Sequence, residues 1–201
     1  MSWFAEQSVV LQAFLAGLFT WTCTIIGSGI VFFFKNVNRK LLDTMQGFAA
    51  GVMIAASFWS LLAPSISYAE PIYGSWSWVP AAVGFLLGGY FLRFVDAIIP
   101  HLHLGHDIAK AEGGSKEERK RLSKTALLFL AITIHNIPEG LAVGVTFGAL
   151  ANNFSQAAYV GALGLALGIG LQNIPEGSAL SIPIRTDGKT RQQAFFWGAM
   201  S

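Results

Sequence analysis

At 201 residues, 53% of them hydrophobic and only 12% charged, the chain is far more apolar than an ordinary soluble domain and long enough to cross a membrane several times. Its formal net charge of +2 is too small, and its basic residues too confined to loops, for a nucleic-acid-binding face. A single cysteine rules out an intrachain disulfide and leaves the redox compartment unmarked.

The first apolar run covers residues 8–34. No basic segment precedes it and it exceeds the length of a signal-peptide core, so it reads as a retained membrane span. Cys23 lies within it and reads as a small buried apolar residue. A second span is expected over 41–63, where Met53, Ser57 and Ser60 stand at i, i+4 and i+7 on one face. That stripe either lines a path, with the Met53 thioether as a soft ligand, or is ordinary packing with the serines bonded to the preceding turn.

The connection SISYAEPIYGSWS leads to a third span over 77–99, and its WSW and Tyr73 suit a membrane interface. Near the far end of that span, Asp96 is either the rim of an exit path or the i, i+3 partner of Arg93. The loop over 101–124 opens PHLHLGHD and continues as a charged run. Its His101, His103 and His106 beside Asp107 could catch a divalent cation as neutral imidazoles, or sit idle in a solvated loop. Spans four and five are expected over 125–150 and 157–184. Each meets the roughly 20 residues a bilayer crossing requires. A sixth apolar stretch begins near Gln193 and reaches Ser201 before it could cross, so the chain reads as a single transmembrane domain cut at its sixth span.

Loop charges orient the bundle. Lys35, Arg39 and Lys40 follow span one, six lysines and arginines lie between Lys110 and Lys124, and Arg185, Lys189 and Arg191 follow span five. The two alternate connections carry no basic residue. The positive-inside rule then puts the N-terminus outside and the histidine loop in the cytoplasm.

Spans four and five each carry N-I-P-E-G, as HNIPEG (135–140) and QNIPEG (172–177). Helical spacing puts His135 and Asn136 over Glu139, and Gln172 and Asn173 over Glu176. Carboxylates, amide oxygens and one imidazole, with no thiolate, are ligands for a divalent cation of borderline to hard character. Pro138 and Pro175 should kink their helices and free the carbonyls of Ile134 and Leu171, which a membrane tolerates only beside protein or a cavity. Stripes of glycine (Gly140, Gly144 and Gly148; Gly164 and Gly168) are expected to bring these two helices together. Glu139 and Glu176 would then lie near each other, where without a cation they would repel and at least one would take up a proton; a bound divalent ion removes the conflict. A structural polar network is the alternative, but an intramembrane carboxylate costs about 2.5 to 3.5 kcal/mol on insertion scales and is a functional candidate by default.

These motifs, with GFAAGVMIAASFWSLLAP on span two and FVDAIIPHLH before the histidine loop, resemble the ZIP (Zrt/Irt-like) family of metal-ion transporters, nearest its gufA-like branch. The resemblance implies an all-α bundle of eight spans in a 3+2+3 arrangement with both termini outside. It implies passage of zinc or a similar ion (cadmium, iron(II), manganese(II)) into the cytoplasm, zinc being substrate and not a catalytic cofactor. One ion would be held by His135, Glu139, Gln172 and Glu176 with Met53 nearby, and a second by Asn136, Glu139, Asn173 and Glu176. Asp96, His101 and His103 match positions on the release side. Many relatives have histidine or a carboxylate at Gln172 and Asn173, and the family adds a glutamate from span six. The gufA-like likeness points to a bacterial inner membrane, with the oligomeric state open, a homodimer included. An alternating-access carrier is the leading mechanism. A passive channel differs from it only in kinetics, and an intramembrane metallohydrolase lacks both an HExxH pattern and a general base outside the ligand set.

Overall fold

A computed structural model describes residues 2–34, 39–99, 123–152 and 154–201, and the described residues are helical with no strand among them. After a short helical turn, Ser2–Ala5, six helices follow: α1 (Val9–Gly29, drawn out by a 3-10 turn, Ile30–Phe32), α2 (residues 39–73), α3 (Trp78–Ile98), α4 (Lys124–Ala149), α5 (Gln156–Thr186) and α6 (Arg191–Ala199). Five are long and apolar enough to span a membrane, within a few residues of the sequence expectation at most ends. His101, His103 and His106 lie outside the described residues.

Local chemistry sets the helix starts. Ser8, Ser123 and Ser155 are extended, and each hydroxyl accepts from a backbone N–H three residues on (Leu11, Ala126 and Ala158) at 3.3, 3.2 and 3.0 Å. Thr190 and Gln193 form a reciprocal capping box at the start of α6. Such caps contribute about 1 kcal/mol each by satisfying N–H groups that the helix leaves open.

The chief departure from expectation is in α2. The connection expected after residue 63 is helical to Tyr73, and a 3-10 turn, Gly74–Trp76, follows. Continuity depends on a π-helical turn, Ser57–Leu62, in which the N–H of Ala63 reaches back five residues to Phe58 O. In a regular helix the ring of Pro64 would crowd the carbonyl of Ser60, and the wider turn just before it relieves that clash. The helix stops at Gly74, whose φ of +52° suits a residue without Cβ. Ile99, before Pro100, leaves α3 in extended conformation, as a residue preceding proline prefers.

α5 is the hub: it packs against α1, α2, α4 and α6. Two apolar clusters surround it. One joins Ala16 of α1, Val143 and Phe147 of α4, and Leu165 and Ile169 of α5. The other joins Val31, Leu128, Leu180, Ile184 and Ala194 at the opposite end. The segments that carry the paired motif fall between them. α3 lies at the periphery and exposes Phe85, Leu87, Tyr90 and Phe94, surface suited to a lipid environment. Tyr73, Trp76 and Trp78 are also exposed, grouped at the α2–α3 turn.

Candidate metal site

The two copies of N-I-P-E-G meet. From α5, Gln172 Nε2 donates to Glu139 Oε1 of α4 at 2.5 Å, and Glu176 stands one helical turn beyond Gln172 on the same face of α5. α4 and α5 each run as one helix through Pro138 and Pro175. Five buried side-chain oxygens of the two motifs have no hydrogen-bond partner among the described residues: Asn136 Oδ1, Glu139 Oε2, Gln172 Oε1, Asn173 Oδ1 and Glu176 Oε2. Buried polar atoms are nearly always paired, and an unpaired one costs about 1 to 3 kcal/mol. Orphaned acceptors on both motifs, with no orphaned donor among them, have the chemistry of ligands for a cation.

His135 is exposed on α4 and shares a cavity of about 600 Å³ with Glu176, Met53 of α2, and Arg93 and Asp96 of α3. That cavity lies toward the end of the bundle where the basic loops emerge. Asp96 lines the same cavity, and its carboxylate stands 3.9 Å from Arg93. A second cavity of about 570 Å³, toward the neutral end, is lined by Ser60, Tyr68, Thr146 and Ser155 and by none of the motif residues. Met53 and Ser60 therefore serve different cavities, and Ser57 lines neither. Among the described residues no three His, Cys, Asp or Glu side chains cluster at ligating distance, so any ion held here would also use amide oxygens.

The glycine stripes do not act as expected. A Cβ added at Gly140, Gly144, Gly148 or Gly164 would meet open space, and one at Gly168 would press on Val52 Cγ1 of α2 at 3.2 Å. The close crossing is instead between α5 and α1. A Cβ at Gly27 would strike the backbone of Ile174, and one at Gly177 would strike Thr24 O and the N–H of Ser28. The stripes failed as a guide because hydrophobic spans show no preference of face toward protein over lipid, and only backbone approach reveals it.

The sequence reading also missed α1 as a wall of the site. Asn173 Nδ2 donates to Thr20 O of α1 at 3.2 Å, which ties this amide to α1 and leaves its oxygen without a partner among the described residues. Ser28, fully buried, bonds to Thr24 O and to Gly177 O. A usable signal was present, since Thr20, Thr24 and Ser28 form an i, i+4, i+8 polar stripe in an apolar span.

No family model matches the chain. It is 40% identical to the zinc transporter ZIP11 of Xenopus tropicalis, over 96% of this chain and 77% of that protein. It is 36% identical to the human zinc transporter ZIP11, over 97% and 78%, and 36% identical to the zinc transporter GufA of Myxococcus xanthus, over 90% and 67%.

Proposed function

Since the chain belongs to the ZIP family of zinc transporters, we propose that it is an integral membrane protein that carries divalent metal cations, zinc above all, into the cytoplasm by alternating access. The N-terminus faces outside and the basic loops face the cytoplasm, in a bacterial inner membrane.

The carrying observation is the set of five orphaned oxygens on the paired motif. One ion sits among Glu139, Gln172 and Glu176, with His135 and the thioether of Met53 at the margin, on the cavity wall. A second position is on Asn136, Glu139, Asn173 and Glu176, where the nitrogen of Asn173 is bonded to Thr20 O and its oxygen stays available. The two cavities support a carrier: one reaches Glu176 and His135, and the other stops short of them. Access from a single side at a time is what alternating access requires, whereas a channel needs both cavities joined. The ion leaves past Asp96 toward His101, His103 and His106.

Desolvating a divalent ion in the bilayer is offset by the two carboxylates, and the neutral amides adapt without adding charge. Radioactive zinc uptake into proteoliposomes tests this. Saturable uptake that Glu139→Gln and Glu176→Gln each reduce to background is expected. Uptake that persists in both variants would make the carboxylates structural.

A further inference from the structure

Gln172 is fully buried, and its amide has two distinct faces. The nitrogen donates to Glu139, and the oxygen is without a partner. The face turned to Glu139 Oε1 is the NH2 group. Among the described residues, the ion pairs join Arg93 to Asp96 and Lys124 to Asp187, and neither reaches Glu139 or Glu176. The amide of Gln172 is thus the side-chain donor bonded to this carboxylate pair.

A cation held by Glu139 competes for the oxygen that Gln172 now engages. Half a turn about the last bond of Gln172 would replace its N–H by Oε1, a neutral oxygen ligand. We propose that Gln172 is a positioning residue that substitutes for the cation, holding Glu139 by its N–H when the carrier crosses without an ion and turning its oxygen inward when one binds. The inference rests on the site proposed above and concerns the unloaded half of the cycle.

Net uptake requires the carrier to return without cargo. At that stage the pair lacks a cation, and even with one carboxyl group protonated the remaining charge needs a hydrogen-bond donor in a medium that screens poorly. A charge-assisted hydrogen bond from Gln172 supplies that donor. Exchange of labelled for unlabelled ion never passes through the unloaded crossing. Loss of the N–H should therefore slow net uptake and spare exchange.

The test uses the full protein in proteoliposomes, with radioactive zinc outside and either no zinc or unlabelled zinc inside. Gln172→Glu keeps the volume and an oxygen ligand but removes the donor; Gln172→Met keeps the volume and removes both. In Gln172→Glu, the ratio of exchange to net uptake should rise at least about tenfold over the unsubstituted chain, the scale of a hydrogen bond to a charged group. Zinc binding in detergent should be at least as tight. In Gln172→Met the exchange-to-net ratio should rise as well, with exchange itself reduced. An unchanged ratio in Gln172→Glu would overturn the proposal, whether both fluxes survive or both collapse, and so would weaker zinc binding. Should Glu139→Gln and Glu176→Gln leave both fluxes intact, the site itself would be wrong, which is a separate result.

Discussion

On α4, His135 is exposed and Asn136 and Glu139 are half-buried, whereas on α5 Gln172 and Asn173 are 0% and 6% exposed. The glycine that closes each motif shows the same contrast. Gly140 looks into open space, while Gly177 is pressed against the backbone of α1. One copy of the motif therefore walls a cavity and has room to adjust, and the other is clamped into the hub of the bundle. Identical letters at identical helical spacing have thus acquired different settings: the α5 copy is fixed in the hub, and the α4 copy borders the cavity.

The largest effect should come from the two glycines. Gly177→Ala forces apart two helix backbones and should cost about 3 kcal/mol, seen as a lower unfolding midpoint in detergent and poor recovery of folded protein. Gly140→Ala has space for its methyl and gains helix propensity, so it should stabilise by about 0.5 kcal/mol. Equal effects would break the comparison.

The paired asparagines should show a smaller contrast. Asn173→Leu removes the donor to Thr20 O inside the hub and should cost about 1 to 3 kcal/mol of stability. Asn136→Leu removes an orphaned acceptor, so stability should hold within about 1 kcal/mol while the zinc-induced rise in the unfolding midpoint shrinks. The reverse order would make the α4 copy the fixed one.

The smallest effect concerns the link between the two helices at their basic ends, where Lys124 Nζ meets Asp187 Oδ1 at 3.0 Å, both about one-third exposed. Lys124→Ala should cost under about 1 kcal/mol, and raising the salt concentration should erase the difference. A larger, salt-resistant loss would mean that the ends of α4 and α5 are tied more rigidly than the comparison allows.

Much of this was legible in the chain itself. Five spans and the stacking of each motif's side chains on one helix face follow from local rules: a bilayer sets span length, and helical spacing stacks i on i+4. The extension of α2 to Tyr73 was not legible, because Pro64 and the polar serines around it imitate a loop, and only the π turn reveals how the helix absorbs them.

The faces of the helices were settled by tertiary structure alone. Hydrophobic pattern tells a soluble helix which side to bury, but lipid tails are as apolar as a protein core, so an apolar residue such as Leu87 of α3 or Leu165 of α5 is equally at home against either. Whether Gly144 or Gly27 would mark a crossing, whether Asn173 would bond to Thr20, and which cavity Met53 and Ser60 would each line depended on where backbones could approach within van der Waals distance and where a buried N–H could find an acceptor. The sequence by itself determined that two carboxylates would be held inside a membrane on neighbouring helices. Only the packing decided which of those helices holds its copy fixed, because close approach and hydrogen bonding, and not hydrophobicity, distinguish one face from another in a bilayer.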